Sequence, residues 1–361
     1  MILEILDQNL HPIGAVEKIT SLQWQRRHVE CGEFELHAPL TMEHLELLQI
    51  DHYIVLRYDE EVGVIMYRQL YQDDSGQESI VIRGRLSKCL LQRRIIWGSE
   101  HFNTSAGMAI SRLINNHCIS PKDAKRKIPY LSCNISEKGK NIKMQTSYAN
   151  VMEECEKICL LGDIGYRLIL SDGSFVVVTC SGKNRTVNQN INDHVVFSDE
   201  YENVKNQNYV YSVMDHANVV LSAGIGEGKD RRIVSVGDSS GLNRYEIFDD
   251  QRGLTMTKED GESEYTESEY LELLKESGIS LLKEYPITEQ FTFKNAERSN
   301  FVYQRDYDLG DVVTCINSKW GFVIDTQIMG VNEIYEQPGK KIDLIFGNEL
   351  PTLMKKIKRL R

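Results

Sequence analysis

The sequence has no long apolar run. No stretch approaches the roughly 18 consecutive apolar residues of a membrane-spanning helix. The first residues, MILEILDQNL, have neither the basic start nor the long apolar core of a secretory signal. The 8 cysteines follow no disulfide-framework spacing, which suits a reducing compartment. We therefore predict a protein that is made in the cytosol and has no membrane span.

An excess of positive charge is also absent. The chain has 42 Lys and Arg residues against 53 Asp and Glu residues, which gives a formal net charge of -11. Because a nucleic-acid binder needs cationic side chains to neutralise phosphates, this balance argues against nucleic-acid binding by the chain as a whole. The length of 361 residues, with 41% hydrophobic and 26% charged residues, predicts a globular protein of roughly two to four domains.

Strand patterns are clearest near the C-terminus. Apolar side chains alternate with other residues in three short runs, at 312–316, 322–328 and 342–346. A period of two is typical of strands with one buried face, so these runs predict a small antiparallel barrel. A hairpin is also predicted at 166–179, where two strands flank the turn sequence Ser-Asp-Gly-Ser.

Helical spacing occurs in separate segments between the strands. The predicted helices are a short one after the N-cap Thr41, one from Thr104 or Ser105 to Asn116, one from Ser147 to Leu161, and one from the capping box Thr266–Glu269 to the stop at Pro286. Strands and helices in separate regions predict an α+β fold that is mainly β.

Both ends of the chain resemble the hub proteins at the tail tip or baseplate of long-tailed bacteriophages. At the C-terminal end, the resemblance is carried by Asp308-Leu309-Gly310-Asp311 and by the strands that end at 342–347. At the N-terminal end, it is carried by the strand at 2–6, the turn at 9–14, and the segments 22–24, 32–36, 63–65, 84–86 and 91–98. These segments bracket nearly the whole chain.

The resemblance implies two tube-like antiparallel β-barrel domains and two smaller α/β accessory domains, one of them inserted in the second barrel. The expected domains are a first barrel (1–94), a middle α+β domain (95–200), a second barrel in two pieces (201–238 and 300–350), an inserted helical domain (239–299) and a basic tail (351–361). We find no internal sequence repeat, so the likeness of the two barrels is implied by the resemblance alone.

The resemblance also implies a structural function. Three copies would form a trimeric, pseudo-six-fold ring that adapts the hexameric tail tube to a three-fold spike or fibre. The expected partners are a distal tail or tail tube protein on one face and a spike, fibre or tape-measure protein on the other. DNA would pass through the central channel without specific binding, since acidic walls repel phosphate. The protein would reside in the virion after assembly in the bacterial host cytoplasm.

Several motifs permit an enzyme hypothesis but remain incomplete. The segment 224–229, GIGEGK, lacks the full phosphate-loop pattern and is interpreted as a hairpin loop. Three Asp-His pairs, Asp51-His52, Asp193-His194 and Asp215-His216, lie in different predicted domains. Cys155 and Cys159 share a helix face, but no further Cys or His pair completes a zinc site. We therefore predict no catalytic, cofactor-binding or metal-binding residues, no cofactor and no enzyme activity.

Basic clusters at 122–127 and 355–361 are interpreted as a solvated loop and a tail that pairs with an acidic neighbour. Some longer relatives carry a peptidase, a muralytic domain or a fibre after the hub, and we expect such activities on another polypeptide here. Two alternatives remain open: a cell-wall or polysaccharide hydrolase on a β-rich scaffold, which needs paired carboxylates in a cleft, and a monomeric receptor-binding module with an exposed aromatic patch.

Overall fold

The computed structural model describes residues 1–56, 59–135, 138–258, 263–295, 299–337 and 339–347. The predicted basic tail, 351–361, lies outside the described residues. Strands dominate the fold and most of their pairings are antiparallel. The prediction of a mainly β protein with additional helices is confirmed.

Seven strands and one helix make up what we call the first strand group. Its elements are β1 (Leu3–Leu6), β2 (Pro12–Val16), β3 (Ser21–Arg27), β4 (Glu33–Pro39), α1 (Met42–Leu47), β5 (Tyr53–Leu56), β6 (Val62–Gln72) and β7 (Glu78–Leu86). The strands lie in the order β2-β1-β5-β6-β7-β4-β3. Thr41 caps α1 as predicted, since its hydroxyl accepts a hydrogen bond from the amide of His44 at 3.1 Å.

The first strand group is strongly curved around one core. Alternate residues of β3 face inward, among them Leu22 and Trp24, which are fully buried. A Cβ placed on Gly63 of β6 would lie only 3.0 Å from the tip of the Trp24 ring, although two strands separate β6 from β3 in the sheet. Side chains from opposite parts of the sheet therefore meet in the middle of the group.

The middle unit follows the first strand group in the chain. Its elements are α2 (Cys89–Gln92), β8 (Ser99–Ser105), α3 (Ala106–Ile114), β9 (Leu131–Asn134), β10 (Asn141–Ser147), α4 (Val151–Gly162), β11 (Gly165–Ser171) and β12 (Ser174–Cys180). The chain also makes a π-helical turn at Asn115–Ile119 and a 3-10 turn at Ala124–Arg126. The strands β8 and β10 form a ribbon, and β9, β11 and β12 form a small sheet.

The helix α4 confirms the predicted apolar stripe. Asn150 caps its first turn by accepting hydrogen bonds from the amides of Met152 and Glu153. Its C-terminal end is at Asp163, which adopts the left-handed conformation with φ of 57°. The stripe packs into the core of the middle unit, where Cys155 and Cys159 are fully buried.

The rest of the chain forms a second strand group and an inserted unit. The chain passes through β13 (Val196–Ser198) and β14 (Val204–Ser212), then through the inserted unit of β15 (Val219–Ala223), a 3-10 turn (Gly228–Asp230), β16 (Ile233–Val236), another 3-10 turn (Gly241–Asn243), β17 (Glu246–Asp250) and α5 (Glu267–Lys283). It then completes the second group with β18 (Thr288–Asn295), β19 (Val312–Asn317), β20 (Phe322–Glu336) and β21 (Gly339–Gly347).

This grouping differs from the expected domain limits at two places. The strands β15 and β16 fall in the expected barrel piece 201–238, but they pair with each other and with β17, and α5 packs on them. The strand β18 falls in the expected insertion 239–299, but it pairs with β14 and β21. A strand pattern does not show which sheet the strand joins, which explains β15 and β16, and the polar composition of 239–299 hid β18.

An aromatic core fills the second strand group. The ring centroid of Phe197 in β13 lies 4.8 Å from that of Phe293 in β18 and 5.9 Å from that of Phe346 in β21. Three strands separate β13 from β18 in the strand order. This group is therefore curved as well, with Phe197 reaching across its interior.

The two groups belong to one continuous sheet. Among the described residues, 13 strands are connected, because β3 of the first group pairs with β20 of the second. The strand pairings in this part of the chain do not close either group into a barrel. None of the described helices combines the length and hydrophobicity needed to cross a membrane.

Candidate assembly site

The junction between the two strand groups is the place where the fold sets their mutual geometry. The strand β20 extends beyond β19, and its residues 330–335 pair with β21 along one edge and with β3 along the other. The amide of His28 extends this ladder by donating to the carbonyl of Met329 at 3.0 Å. A shared ladder of this length fixes both the distance and the register of the two groups.

A buried charged cluster lies on this junction. Arg26 of β3 makes ion pairs with Asp59 and, at 3.4 Å, with Glu333 of β20. Tyr303 accepts a hydrogen bond from Arg26 at 3.4 Å, and Lys340 pairs with the second oxygen of Glu333. Because the side chains of Arg26, Asp59 and Glu333 are at most 5% exposed, removing one charge would leave another unpaired in a poorly solvated place.

Acidic groups outnumber the cations that meet them in this cluster. Burial, together with the nearby carboxylates of Glu61 and Glu333, raises the pKa of Asp59 to about 6, although Arg26 acts in the opposite direction. Burial also raises the pKa of the Tyr303 hydroxyl, so this group stays a neutral hydrogen-bond partner. The cluster therefore depends on a single guanidinium from the first group.

His28 connects three parts of the chain next to this cluster. Its imidazole lies against Gly165, where the middle unit enters β11, and against Gly310, which precedes β19. A Cβ at either glycine would come within 2.5 Å of the ring, so only glycine fits there. Burial, followed by the charges of Lys88 and Arg167, lowers the pKa of His28 to about 4. The neutral imidazole therefore packs at the meeting point of three units.

Lys88 ties the first strand group to the middle unit. Its side chain is fully buried, and its ammonium donates hydrogen bonds to the carbonyl oxygens of Arg27, Val29 and Glu30 at 3.1, 3.3 and 2.9 Å. The same ammonium lies 4.5 Å from the centre of the Tyr166 ring in β11. This cation satisfies carbonyls in the turn between β3 and β4 and, through the cation–π contact with Tyr166, connects that turn to the middle unit.

The Asp308–Asp311 motif has a structural role in the same region. The carboxylate of Asp311 is buried and accepts hydrogen bonds from the amide of Lys183, the guanidinium of Arg185 and the amide of Asp308, at 2.7, 2.7 and 3.0 Å. Gly310 has a φ of 93°, which few other residues tolerate. The motif thus anchors the segment that leaves the middle unit onto the second strand group.

The two strand groups repeat the same arrangement. In chain order, β3, β4, β5, β6 and β7 correspond to β14, β18, β19, β20 and β21, with the same neighbours in the sheet. Both long strands are interrupted at the same point, since a bulge falls between Ile65 and Tyr67 in β6 and between Ile328 and Gly330 in β20. The inserted unit occupies the position of the short turn between β3 and β4.

The registers of the two groups also match strand by strand. The row across the first group is Ile65, Gly84, Phe34 and Trp24, and the corresponding row across the second group is Ile328, Phe346, Phe291 and Tyr209. Sequence reasoning missed this repeat. The one signal that could have found it is the dipeptide Ile-Met at both bulges, Ile65-Met66 and Ile328-Met329.

The structure separates the residues that had suggested an enzyme. The segment 224–229 connects β15 to β16, and its backbone closes because the amide of Gly224 donates to the carbonyl of Arg232 and the amide of Arg232 donates to the carbonyl of Ile225. The rings of His52, His194 and His216 each lie within 3.0 Å of a backbone carbonyl oxygen, those of Leu47, Gln189 and Tyr285. Within the described ranges, no three His, Cys, Asp or Glu residues form a group suited to a metal ion.

The remaining candidates are a cysteine pair and a basic loop. Burial raises the pKa of both the Cys155 and the Cys159 thiols, which keeps them protonated. The basic cluster 122–127 contains the 3-10 turn, and its Arg126 lies over the Trp97 ring at 4.2 Å. The second basic cluster, 355–361, lies outside the described residues.

Three crystal structures of tail proteins have a similar fold. The tail protein from Neisseria meningitidis MC58 matches with a TM-score of 0.59 and 12% identity, over 96% of each chain. The 43 kDa tail protein of prophage MuSo2 from Shewanella oneidensis matches with a TM-score of 0.58 and 12% identity, over 96% of this chain and 98% of that one. The prophage tail protein gp18 from Listeria monocytogenes EGD-e matches with a TM-score of 0.55 and 13% identity, over 99% of this chain and 98% of that one.

The chain therefore has the fold of a phage tail protein. Its sequence matches the family described as Siphovirus ReqiPepy6 Gp37-like protein over residues 2–348, and the chain belongs to that family. A search of curated proteins found no match. Family membership confirms the predicted relation to tail proteins of long-tailed bacteriophages. It also supports the prediction that the chain is a structural component of the virion tail. It also suggests a non-enzymatic protein.

Proposed function

We propose that this protein is the hub subunit of a phage tail tip or baseplate. Three copies form a ring in which two tube-like strand groups per chain supply six similar units around a central channel. One face of the ring docks onto the hexameric tail tube or distal tail protein, and the other holds a three-fold spike, fibre or tape-measure protein. The ring thereby adapts six-fold to three-fold symmetry.

The observation that carries this proposal is the repeat of the two strand groups with one bulge in the same place. A chain that carries two copies of one unit, joined edge to edge, already contains one of the steps between neighbouring units around the ring. Three such chains give six units without any need for six identical subunits. The formal net charge of -11 supports a channel whose walls do not retain DNA.

The repeat also supports domain limits set by strand pairing. We propose a first tube-like domain at 1–94 and a middle domain that ends before β13. The second tube-like domain is formed by the pieces on either side of the inserted unit, with β13 and β14 before it and β18 to β21 after it.

The test is the mass of the purified full-length chain by light scattering, followed by electron-microscope images of the main species. We expect a trimer with a central hole at least as wide as a DNA duplex and six lobes of similar size. A monomer that stays monomeric when tube or spike protein is added would overturn the ring. Wall-degrading or receptor-binding activity in such a monomer would favour the hydrolase or the receptor-binding alternative.

A further inference from the structure

Within the described residues, the 13-stranded sheet has open edges at its terminal strands β2 and β13, and also along the outer half of β6 and along β14. Beyond the bulge, residues 67–72 of β6 pair with β7 along one edge and are open along the other. The strand β14 pairs with β18 and is open on its far side. Exposed edges of this length are sites at which another strand adds.

The repeat identifies what the open edges of β6 and β14 correspond to. The outer half of β6 corresponds to the outer half of β20, which pairs with β3. The counterpart of β3 in the second group is β14. The open edge of β6 and the open edge of β14 are therefore the two halves of a second junction, of the kind that already joins β20 to β3 inside the chain.

We propose that β6 of one copy pairs antiparallel with β14 of the next copy, and this proposal rests on the ring described above. The internal junction fixes the register, because Glu333 pairs with Trp24. Their counterparts are Leu70, four residues beyond the bulge, and Tyr209. The pairs across copies are Arg68 with Tyr211, Gln69 with Val210, Leu70 with Tyr209, and Tyr71 with Asn208.

The direction of the backbone amides agrees with this pairing. The amide of Asp73 donates to the carbonyl of Gln77 at 3.0 Å, at the end of the ladder between β6 and β7. Because alternate amides of an antiparallel strand point to the same side, those of Arg68 and Leu70 point to the open edge. The hydrogen bond from His28 to Met329 gives the same direction for Trp24 and Arg26, the counterparts of Tyr209 and Tyr211.

The side chains at both edges also suit a second copy of this chain. Tyr67, Leu70 and Tyr71 of β6 are 43%, 49% and 41% exposed, and Tyr211 of β14 is 59% exposed. The internal junction places the charged residues Glu333 and Arg26 at positions that Leu70 and Tyr211 occupy here. Apolar and aromatic side chains tolerate water before assembly and gain from burial after it, whereas an unpaired buried charge is costly.

The experiment uses cysteine pairs in the full chain. Opposite residues of a non-hydrogen-bonded pair have Cα atoms about 4.5 Å apart, within the range for a disulfide. Gln69→Cys with Val210→Cys makes such a pair across copies. Gln69→Cys with Asn208→Cys is the matched control, because a shift of two residues separates the Cα atoms to about 7 Å or more. The chain without introduced cysteines gives the background from the native thiols.

Mild oxidation of the Gln69→Cys/Val210→Cys chain is expected to give linked dimers and trimers on a non-reducing gel, with a ladder that ends at three chains. The yield should exceed that of the control pair severalfold. A trimer by light scattering with equal or no linking in the two pairs would overturn the strand pairing and leave the ring standing. A ladder that continues beyond three chains would overturn the closed ring, and a monomer at every concentration tested would overturn both.

Discussion

The long strands β6 and β20 are one element in two settings. Beyond its bulge, β20 lies between β21 and β3, and its Val331 and Glu333 are buried. Beyond the corresponding bulge, β6 has a neighbour along one edge, and residues such as Leu70 are exposed. At one pair of corresponding positions, the covered strand has the charged Glu333 and the open strand has the apolar Leu70. The difference teaches that, at this position, a charge stands where folding supplies its ion-pair partners, Arg26 and Lys340.

The largest expected effect comes from breaking the covered junction. Arg26→Met leaves Asp59 and Glu333 without their shared cation, so we expect the free energy of unfolding to fall by about 3 to 5 kcal/mol. Urea denaturation followed by circular dichroism measures the loss. The matched control is Arg83→Met, which removes an exposed ion pair with Glu35 and should lower the free energy of unfolding much less than Arg26→Met does. Equal losses in the two variants would contradict a special role for the cluster.

The second effect is a pH dependence at the same junction. The pKa of His28 is near 4 in the folded protein and near 6.5 when unfolded, so the unfolded state binds the proton first as the pH falls. Stability that is present above pH 6.5 should be lost as the pH falls towards 4, by about 3 kcal/mol. Asp59, with its raised pKa, contributes the opposite slope over part of this range.

The measurement that isolates His28 is the difference in pH slope between the parent chain and His28→Asn. The variant loses some packing at every pH, but its unfolding free energy should fall less steeply between pH 6.5 and 4.5. Parallel slopes in the parent and the variant would mean that folding does not lower the pKa of His28.

A smaller effect tests the curvature of the first group. Gly63→Ala would place a Cβ 2.6 Å from the Phe34 ring, so the group must open to accept it, at a cost of about 1 to 3 kcal/mol. The corresponding residue of the second group is Thr326, where the curvature leaves room for a side chain. Gly253→Ala is the control, since its Cβ would meet nothing within 4 Å. Thermal unfolding compares the two, and an unchanged Tm for Gly63→Ala would contradict the tight curvature.

The smallest effect on stability is expected at the open edges. Leu70→Ser and Tyr211→Ser remove exposed side chains and should change the unfolding free energy of a single chain by about 0.5 kcal/mol or less. The same variants should weaken the proposed trimer, which sedimentation velocity over a range of concentrations measures. Exposed Leu242, in the inserted unit, supplies a matched control as Leu242→Ser. A trimer that is unaffected by Leu70→Ser and Tyr211→Ser would place the contact elsewhere.

Much of the local structure could be predicted from sequence. Thr41, the apolar stripe of α4 and the capping box at Thr266 all define helices through contacts a few residues apart, although α4 begins at Val151 and not at the predicted Ser147. The strand periods at 312–316 and 342–346 were equally clear, since alternation reflects one buried face. Local chemistry is sufficient wherever both partners of a contact lie in one segment.

The junction could not be predicted in the same way. Arg26 and Glu333 are distant in sequence, and nothing in either segment identifies the other as its partner. Lys88 follows a strand like any surface lysine, yet it is fully buried because carbonyls from the neighbouring turn surround it. The polar segment that contains β17 and α5 suggested a mostly helical insertion, because β17 is short and has charged residues at both ends.

Both accessory units leave their strand group at the same end. The middle unit follows the last residue of β7, beside the turn between β3 and β4, and the inserted unit fills the corresponding turn between β14 and β18. The two units also touch, since Lys283 donates to the carbonyl of Leu161 at 3.1 Å. The opposite end of β6 carries the turn at 73–77, and β20 and β21 pair there at Glu336 and Gly339. Both accessory units thus lie at one end of the strand groups, which makes the two ends of the subunit different along the strand direction.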